Sequence, residues 1–275
     1  MEQSPILIVG GLGKTGRRVA DRLKAQARPV RIASRSTDPS FDWTDRSSWA
    51  EALHGASAVY ATYQPDLAVP GAVDDIAEFA RLAKAAGISR IVLLSGRGED
   101  GAVASEQALQ ASGVDCTILR ASWFAQNFSE AFFLEGIRAG ELALPAGDIP
   151  EPFVDVDDIA DVAVAALTDD RHSGQIYELT GPQPLTFAEA VLEIANVTGR
   201  PIRYTPVAWE AYTAELTKVG VPDDLAAILH ELFTEVLDGR NSRPMDGVER
   251  ALGRQPRSFA DYARETAKTG IWSAG

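Results

Sequence analysis

Cysteine, histidine and methionine are scarce in this chain: one, three and two among 275 residues. With Cys116 alone no internal disulfide can form, and its place in an apolar run reads as a small buried hydrophobe in a reducing compartment. His54, His172 and His230 share no short spacing, which removes the paired ligands of a zinc centre and a histidine-based triad. Positive charge is also short. Lys and Arg total 26 against 39 Asp and Glu, a formal net charge of −13. Such a surface repels nucleic acid and anionic lipid, so neither is expected as a partner. No stretch reaches the roughly 18 to 20 apolar residues of a membrane span, and the opening Met-Glu-Gln-Ser-Pro lacks the basic region of a signal peptide. A cytoplasmic location is the expectation, and a homodimer is left open.

What the chain does have is alternation. Ile6–Val9, Val30–Ala33, Ala58–Ala61, Ile91–Leu94, Cys116–Leu119 and Gln175–Leu179 read as strands, short and apolar enough to be buried on both faces. Amphipathic stretches at 14–27, 73–86, 103–112 and 156–167 are long enough for crossover helices. Strand and helix alternating at this spacing predict a doubly wound parallel α/β sheet of the Rossmann type. Beyond Leu119 the rhythm changes to an aromatic-rich segment at 123–140, and from Gly181 onward the pattern is mostly helical. The expected division is a core of residues 1–120 and 155–180, with 121–154 and 181–275 forming a smaller, mostly helical substrate and lid region. Thr186 and Glu189 have capping-box spacing.

Gly10, Gly13 and Gly16 make a GxxGxxG turn directly after the first strand and at the opening of a helix. Chemistry requires close approach there: residues without side chains let backbone N–H groups meet a pyrophosphate at the positive end of the helix. Leu12, Lys14 and Thr15 complete the turn. A nucleotide-triphosphatase loop would need glycine five residues before Gly13, where the chain has Ile8.

At the end of the second strand an NAD-specific site places a carboxylate on the ribose. This chain has Ser34-Arg35-Ser36, which suits a 2′-phosphate, so NADPH is the expected cofactor. Phe41-Asp42-Trp43 follows, with Asp42 placed to accept from adenine and Trp43 to cover its ring. Ala61 closes the third strand with Thr62 and Tyr63 directly after it, Ser95 sits just beyond the fourth, and Ala61, Thr62 and Ser95 are candidate cofactor contacts.

The segments Gly-Gly-Leu-Gly-Lys-Thr-Gly, Phe-Asp-Trp-Thr-Asp, Val-Leu-Leu-Ser-Gly, Thr-Ile-Leu-Arg-Ala-Ser-Trp-Phe-Ala-Gln-Asn-Phe and Pro-Phe-Val-Asp-Val-Asp-Asp-Ile-Ala resemble the NmrA-like branch of the atypical short-chain dehydrogenases. Within it the chain is most similar to the ergot-alkaloid reductases, the group of festuclavine and agroclavine dehydrogenases. The resemblance implies NADPH-dependent reduction of a small molecule, at an iminium carbon in that group and on quinones or benzylic ethers elsewhere. Other members only sense the cofactor, which leaves an NADP(H)-sensing regulator without turnover as the alternative.

The usual short-chain dehydrogenase acid is a Tyr with a Lys four residues later. With the helix placed by Glu106, those positions hold Gly98 and Ala102, and no Tyr occurs between Tyr63 and Tyr177. Ser95 and Tyr63 are therefore the candidate catalytic side chains. Trp123, Phe124, Asn127, Phe128 and Phe153 are the candidate substrate contacts, an apolar wall with cation–π capacity. Arg120 reads as an ion-pair residue, and Asp155, Asp157 and Asp158 as helix-capping acids.

Overall fold

The structure, a computed structural model, describes residues 4–273. Two compact units are each assembled from separate stretches of chain. The first comprises residues up to Ala121, Val156–Leu179 and Asp246–Arg254; the second comprises Ser122–Asp155, Thr180–Met245 and the chain from Gln255 onward. The strands among the described residues are, in chain order, β1 (Ile6–Val9), β2 (Val30–Ala33), β3 (Ala58–Ala61), β4 (Arg90–Gly96), β5 (Asp115–Ala121), β6 (Glu141–Leu144), β7 (Ile176–Leu179) and β8 (Arg203–Pro206).

In the first unit six strands form a parallel sheet in the order β2-β1-β3-β4-β5-β7. Helices Lys14–Ala25, Ala72–Ala85, Asp100–Ala111 and Val156–Thr168 connect or flank them. The apolar runs explain this arrangement: β1 and β3 are buried at every position, as strands covered on both faces must be. The chain winds outward both ways from β1, so the carboxyl ends of β1 and β3 flank a topological switch point. Asp157 and Asp158 do lie in the first turn of their helix, but they also bind across helices. Arg22 reaches Asp157 and Asp161, both at 2.6 Å, and Arg254 reaches the fully buried Asp158 at 2.7 Å.

The segment Asp246–Arg254 corrects the expected division, which gave everything beyond residue 180 to the lid. Its helix, Gly247–Leu252, packs on β7, and Gly247 lies so near the Glu178 backbone that any side chain would collide. Only a glycine allows that approach.

The second unit is built around aromatic rings. Trp123, Phe128, Phe133, Phe153, Phe187, Phe233, Phe259, Tyr262 and Trp272 belong to one apolar cluster. Two buried polar tips find partners: Trp272 Nε1 donates to the Phe128 carbonyl at 2.8 Å and the Tyr262 hydroxyl to Ser129 Oγ at 2.7 Å. The capping box forms, since Thr186 Oγ1 accepts from the Glu189 N–H at 3.1 Å while Glu189 Oε2 accepts from the Thr186 N–H at 2.7 Å. The aromatic-rich segment 123–140 holds two short helices, Asn127–Glu130 and Leu134–Ala139, and is followed by β6, paired in parallel with β8. No helix among the described residues is long and apolar enough to cross a membrane.

Candidate functional site

β1 ends at Val9 and the chain turns at Gly10, whose φ of +74° is a left-handed value that glycine adopts without strain. The Gly10 N–H donates to the Ala33 carbonyl at 3.1 Å and the Gly13 N–H to the Gly10 carbonyl at 2.9 Å, which closes the turn. Gly16 packs so tightly against the Gly10 backbone that a Cβ there would collide with it. Gly13 caps the helix without a side chain, and the first helical turn contains no acid. Nothing on those residues' side chains answers the helix's positive end, so its first N–H groups suit an anion. Thr15 is buried, Lys14 half-buried, and Leu12 stands exposed on the crest of the turn.

Register brings the second motif alongside. Val9 pairs with Ala33 across β1 and β2, so Ser34-Arg35-Ser36 begins level with the turn. Hydrogen bonds hold the loop: the Ser34 N–H donates to Thr37 Oγ1 at 2.8 Å and the Phe41 N–H to the Ser34 carbonyl at 2.9 Å. Arg35 is left exposed at its tip. Hydrogen bonds from the Thr44 N–H and hydroxyl, both 2.9 Å, hold the Asp42 carboxyl below the usual carboxylate range, with a smaller contribution from the Arg35 charge. Thr62, just past β3, sits beside the turn, with its hydroxyl donating to the Val9 carbonyl at 3.3 Å. Ala61 is fully buried in the strand end.

Trp43 is a correction. Expected as a cover for adenine, it is buried and packs edge-on to Phe41 and Trp49, with its Nε1 donating to the Thr62 carbonyl at 2.9 Å. It is core, and it braces Thr62 from below. Tyr63 is a second correction, because its hydroxyl donates to Asp75 Oδ2 at 2.7 Å while Arg46 takes Asp75 Oδ1. Burial, then the Asp75 bond, pushes the phenol's pKa up, which opposes proton donation. Tyr60 is fully buried in β3, and desolvation raises its pKa also. Thr15 opposes that shift, and the Tyr60 hydroxyl has no hydrogen-bond partner among the described residues.

Ser95 is the third correction: its buried hydroxyl donates to Glu106 Oε1 at 2.5 Å. Arg120 grips the same carboxylate, through Nε at 2.9 Å from Oε1 and Nη2 at 2.6 Å from Oε2. Ser95, Arg120 and Glu178 stand in register across β4, β5 and β7, and Arg97 reaches Glu178 at 3.0 Å. Sequence reasoning found Arg120 as an ion-pair residue but missed that Glu106 and Ser95 complete its network. An acid three turns from any motif gives no signal until the helix is docked.

In the second unit Trp123 is half-buried, 5.5 Å from Phe187 edge-on and 5.1 Å from Phe233. Phe124 and Asn127 are also half-buried. Phe128 and Phe153 correct the proposed wall: at 0 % and 2 % exposure, both are interior rings of the aromatic cluster. The ring system also extends further than expected, through Phe233 to Tyr212 and on to Trp209. A π-helical segment, Leu232–Val236, continues the helix Asp223–Glu231, and both Phe233 and Val236 are buried.

The profile of the NmrA-like family matches residues 2–263 of the chain. Festuclavine dehydrogenase easG of Aspergillus fumigatus is 32% identical, over 94% of this chain and 97% of its own length. NAD(P)H azoreductase of Xenophilus azovorans is 31% identical, over 95% of this chain and 98% of its own. Among solved structures, Citrobacter sp. triphenylmethane reductase complexed with NADP(H) superposes with a TM-score of 0.81 at 20% identity, covering 95% of this chain and 99% of that one.

Proposed function

The chain belongs to the NmrA-like family, and from that premise we propose that it transfers hydride from NADPH to a small organic acceptor, an iminium, quinone or conjugated carbonyl, without a Tyr-Lys acid. It is an NADPH-dependent oxidoreductase, as its relatives named dehydrogenase and azoreductase are oxidoreductases. The observation that carries the cofactor assignment is the uncapped helix beginning at Lys14 with Arg35 two residues past the adjacent strand. In this reading the N–H groups following Gly13 hold the pyrophosphate, and Ser34, Arg35 and Lys14 hold the 2′-phosphate. Asp42 serves the adenine side, while Gly10, Ala61 and Thr62 shape the strand ends beneath. When bound, the nicotinamide supplies the hydride.

The environments of the tyrosines support this acceptor class. Gly98 and Ala102 occupy the positions of the usual acid pair, Tyr60 is sealed in the core, and Tyr63 is committed to Asp75. Hydride transfer to an iminium carbon neutralises it and requires no proton. A quinone or enone leaves an oxyanion that water can protonate. Trp123, with Phe124 and Asn127 nearby in sequence, is proposed as the substrate contact of the second unit, its indole face attracting a cation.

The test is NADPH oxidation followed by absorbance across a panel of cyclic imines, quinones and enones. At least one class should be turned over, and NADH should serve poorly. Tight NADPH binding with no turnover on any class would instead support a cofactor-sensing regulator.

A further inference from the structure

The parallel sheet of the first unit has two rims. The glycine turn occupies the carboxyl-end rim. At the opposite rim, where β7 begins, Arg171, His172, Gln175, Tyr177 and Arg250 line an open cleft of about 310 Å³. In a chain of net charge −13, this cleft is lined by two guanidinium groups and no carboxylate.

Neither cation is saturated. The Arg250 guanidinium lies 5.3 Å over the Tyr177 ring; its polar approaches, Gln175 Oε1 at 3.4 Å and Asp246 at 3.9 Å, are both long. Arg171 has an ion pair with Asp169 at 3.0 Å, yet its side chain is 71% exposed, so most of its donors remain in water.

The floor of the cleft supplies a third donor. His172 is 1% exposed, and its Nε2 accepts from Arg171 Nε at 3.4 Å. Its Nδ1 lies 2.8 Å from the Tyr177 hydroxyl, and either atom can be the donor. In the tautomer that carries the ring proton on Nδ1, the phenol oxygen accepts and its own hydrogen is available to a ligand. Burial, reinforced by the Arg171 charge, lowers the His172 pKa and keeps the ring neutral in this role. Tyr177 is itself buried and lines the cleft beside Arg250.

We propose that this cleft is a second binding site, for a phosphate dianion, either free phosphate or a phosphate monoester, held by Arg171 and Arg250 with the Tyr177 hydroxyl as neutral donor. A dianion matches two guanidinium groups in charge, and tetrahedral oxygens can meet donors converging from different directions, which a planar carboxylate meets less well. Arg250 stacked on Tyr177 is held in place, so little rotamer freedom is lost on binding. Because the site lies across the sheet from the glycine turn, occupancy should not compete with NADPH.

Equilibrium dialysis of NADPH-saturated protein against radiolabelled inorganic phosphate, at fixed ionic strength, tests this, with methyl phosphate as the monoester probe. Saturation with NADPH occupies the region of Arg35, so any phosphate bound reports another site. Binding should be retained at saturating NADPH, and Arg171→Gln and Arg250→Gln should each weaken it about tenfold or more. Tyr177→Phe keeps the ring under Arg250 and should weaken binding severalfold. The Arg171 and Arg250 side chains are 71% and 47% exposed, so their variants should fold, with circular dichroism as the check. Displacement of the label by methyl phosphate would extend the site to monoesters; failure to displace it would confine the site to free phosphate. No binding by the wild type, or undiminished binding by the Arg171→Gln/Arg250→Gln double variant, would overturn the proposal.

Discussion

The turn at Gly10–Gly16 and the aromatic cluster around Phe128 represent opposite ways of building a site. In the turn the atoms proposed to work are backbone N–H groups, and side chains matter mainly by being absent: Gly16 is glycine because the Gly10 backbone stands where a Cβ would be. In the cluster the side chains do everything, with Phe128 in ring contact with Phe133, Phe153, Phe187 and Phe259. The first region can therefore be read from residue types at fixed spacing. The second depends on which rings meet in three dimensions.

If that contrast is right, the two regions should fail differently under mutation. The largest effect belongs to the cluster. Phe128→Ala removes a fully buried ring and should destabilise the protein by about 3 to 5 kcal/mol. Denaturant titration measures it, and NADPH affinity of the folded fraction should be unchanged. A variant with near-native stability and a raised KM would mean that Phe128 lines a substrate surface after all.

The mirror experiment acts on the turn's neighbour. Arg35→Ala should leave the denaturation midpoint alone, because the side chain is exposed. NADPH affinity should fall by about ten- to hundredfold, the value of a charge-assisted contact of about 1.5 to 3 kcal/mol, with NADH affinity unaffected. Calorimetric titration of both cofactors decides it. Equal losses for both would place Arg35 away from the 2′-phosphate.

The same contrast explains what could be read in advance. β1 and β3 were legible to the residue because buried parallel strands are continuous apolar runs closed by glycine or polar turns, and β2, an edge strand interrupted by Arg31 and only partly buried, was found by its β-branched residues and its bounds. The helix at Gly247–Leu252 was not, since its place beside β7 rests on a tertiary contact at Gly247. β6 and β8 lack the apolar run that marked the core strands: Glu141–Leu144 alternates exposed and buried, and Arg203–Pro206 has no buried residue. The tight turn at Gly10 and Gly16 and an exposed Arg35 beside it were legible from position, whereas Trp43, Ser95, Tyr63, Phe128 and Phe153 had the right chemistry for a ligand and found their partners inside the protein. Polar side chains make local commitments that a one-dimensional pattern does not record. Glu106 shows the converse, a buried acid whose role as the joint between Ser95 and Arg120 has no motif.

Tyr63 gives the smallest and most discriminating test, because it lies between the two regions in kind: a side chain next to the turn, whose hydroxyl is already spent. Its bond to Asp75 is shared with Arg46, so Tyr63→Phe removes one hydrogen bond to a carboxylate that keeps a charged partner. The stability loss should be about 1 kcal/mol, within the range for a net hydrogen bond. The rate consequence separates structure from catalysis. A general acid contributes a factor of about 10² to 10⁴, whereas a structural tyrosine should cost kcat only a fewfold. The pH dependence gives an independent reading. A phenol whose pKa is raised in the folded protein contributes stability that is complete below its ordinary value of 10.0 and is lost only as pH rises through the higher folded value. Wild type and Tyr63→Phe should therefore differ by a constant amount from neutral pH up to that range and converge above it. A thousandfold fall in kcat for Tyr63→Phe, with a wild-type alkaline limb that the variant lacks, would restore Tyr63 as the proton donor and remove the argument for an acceptor that needs none.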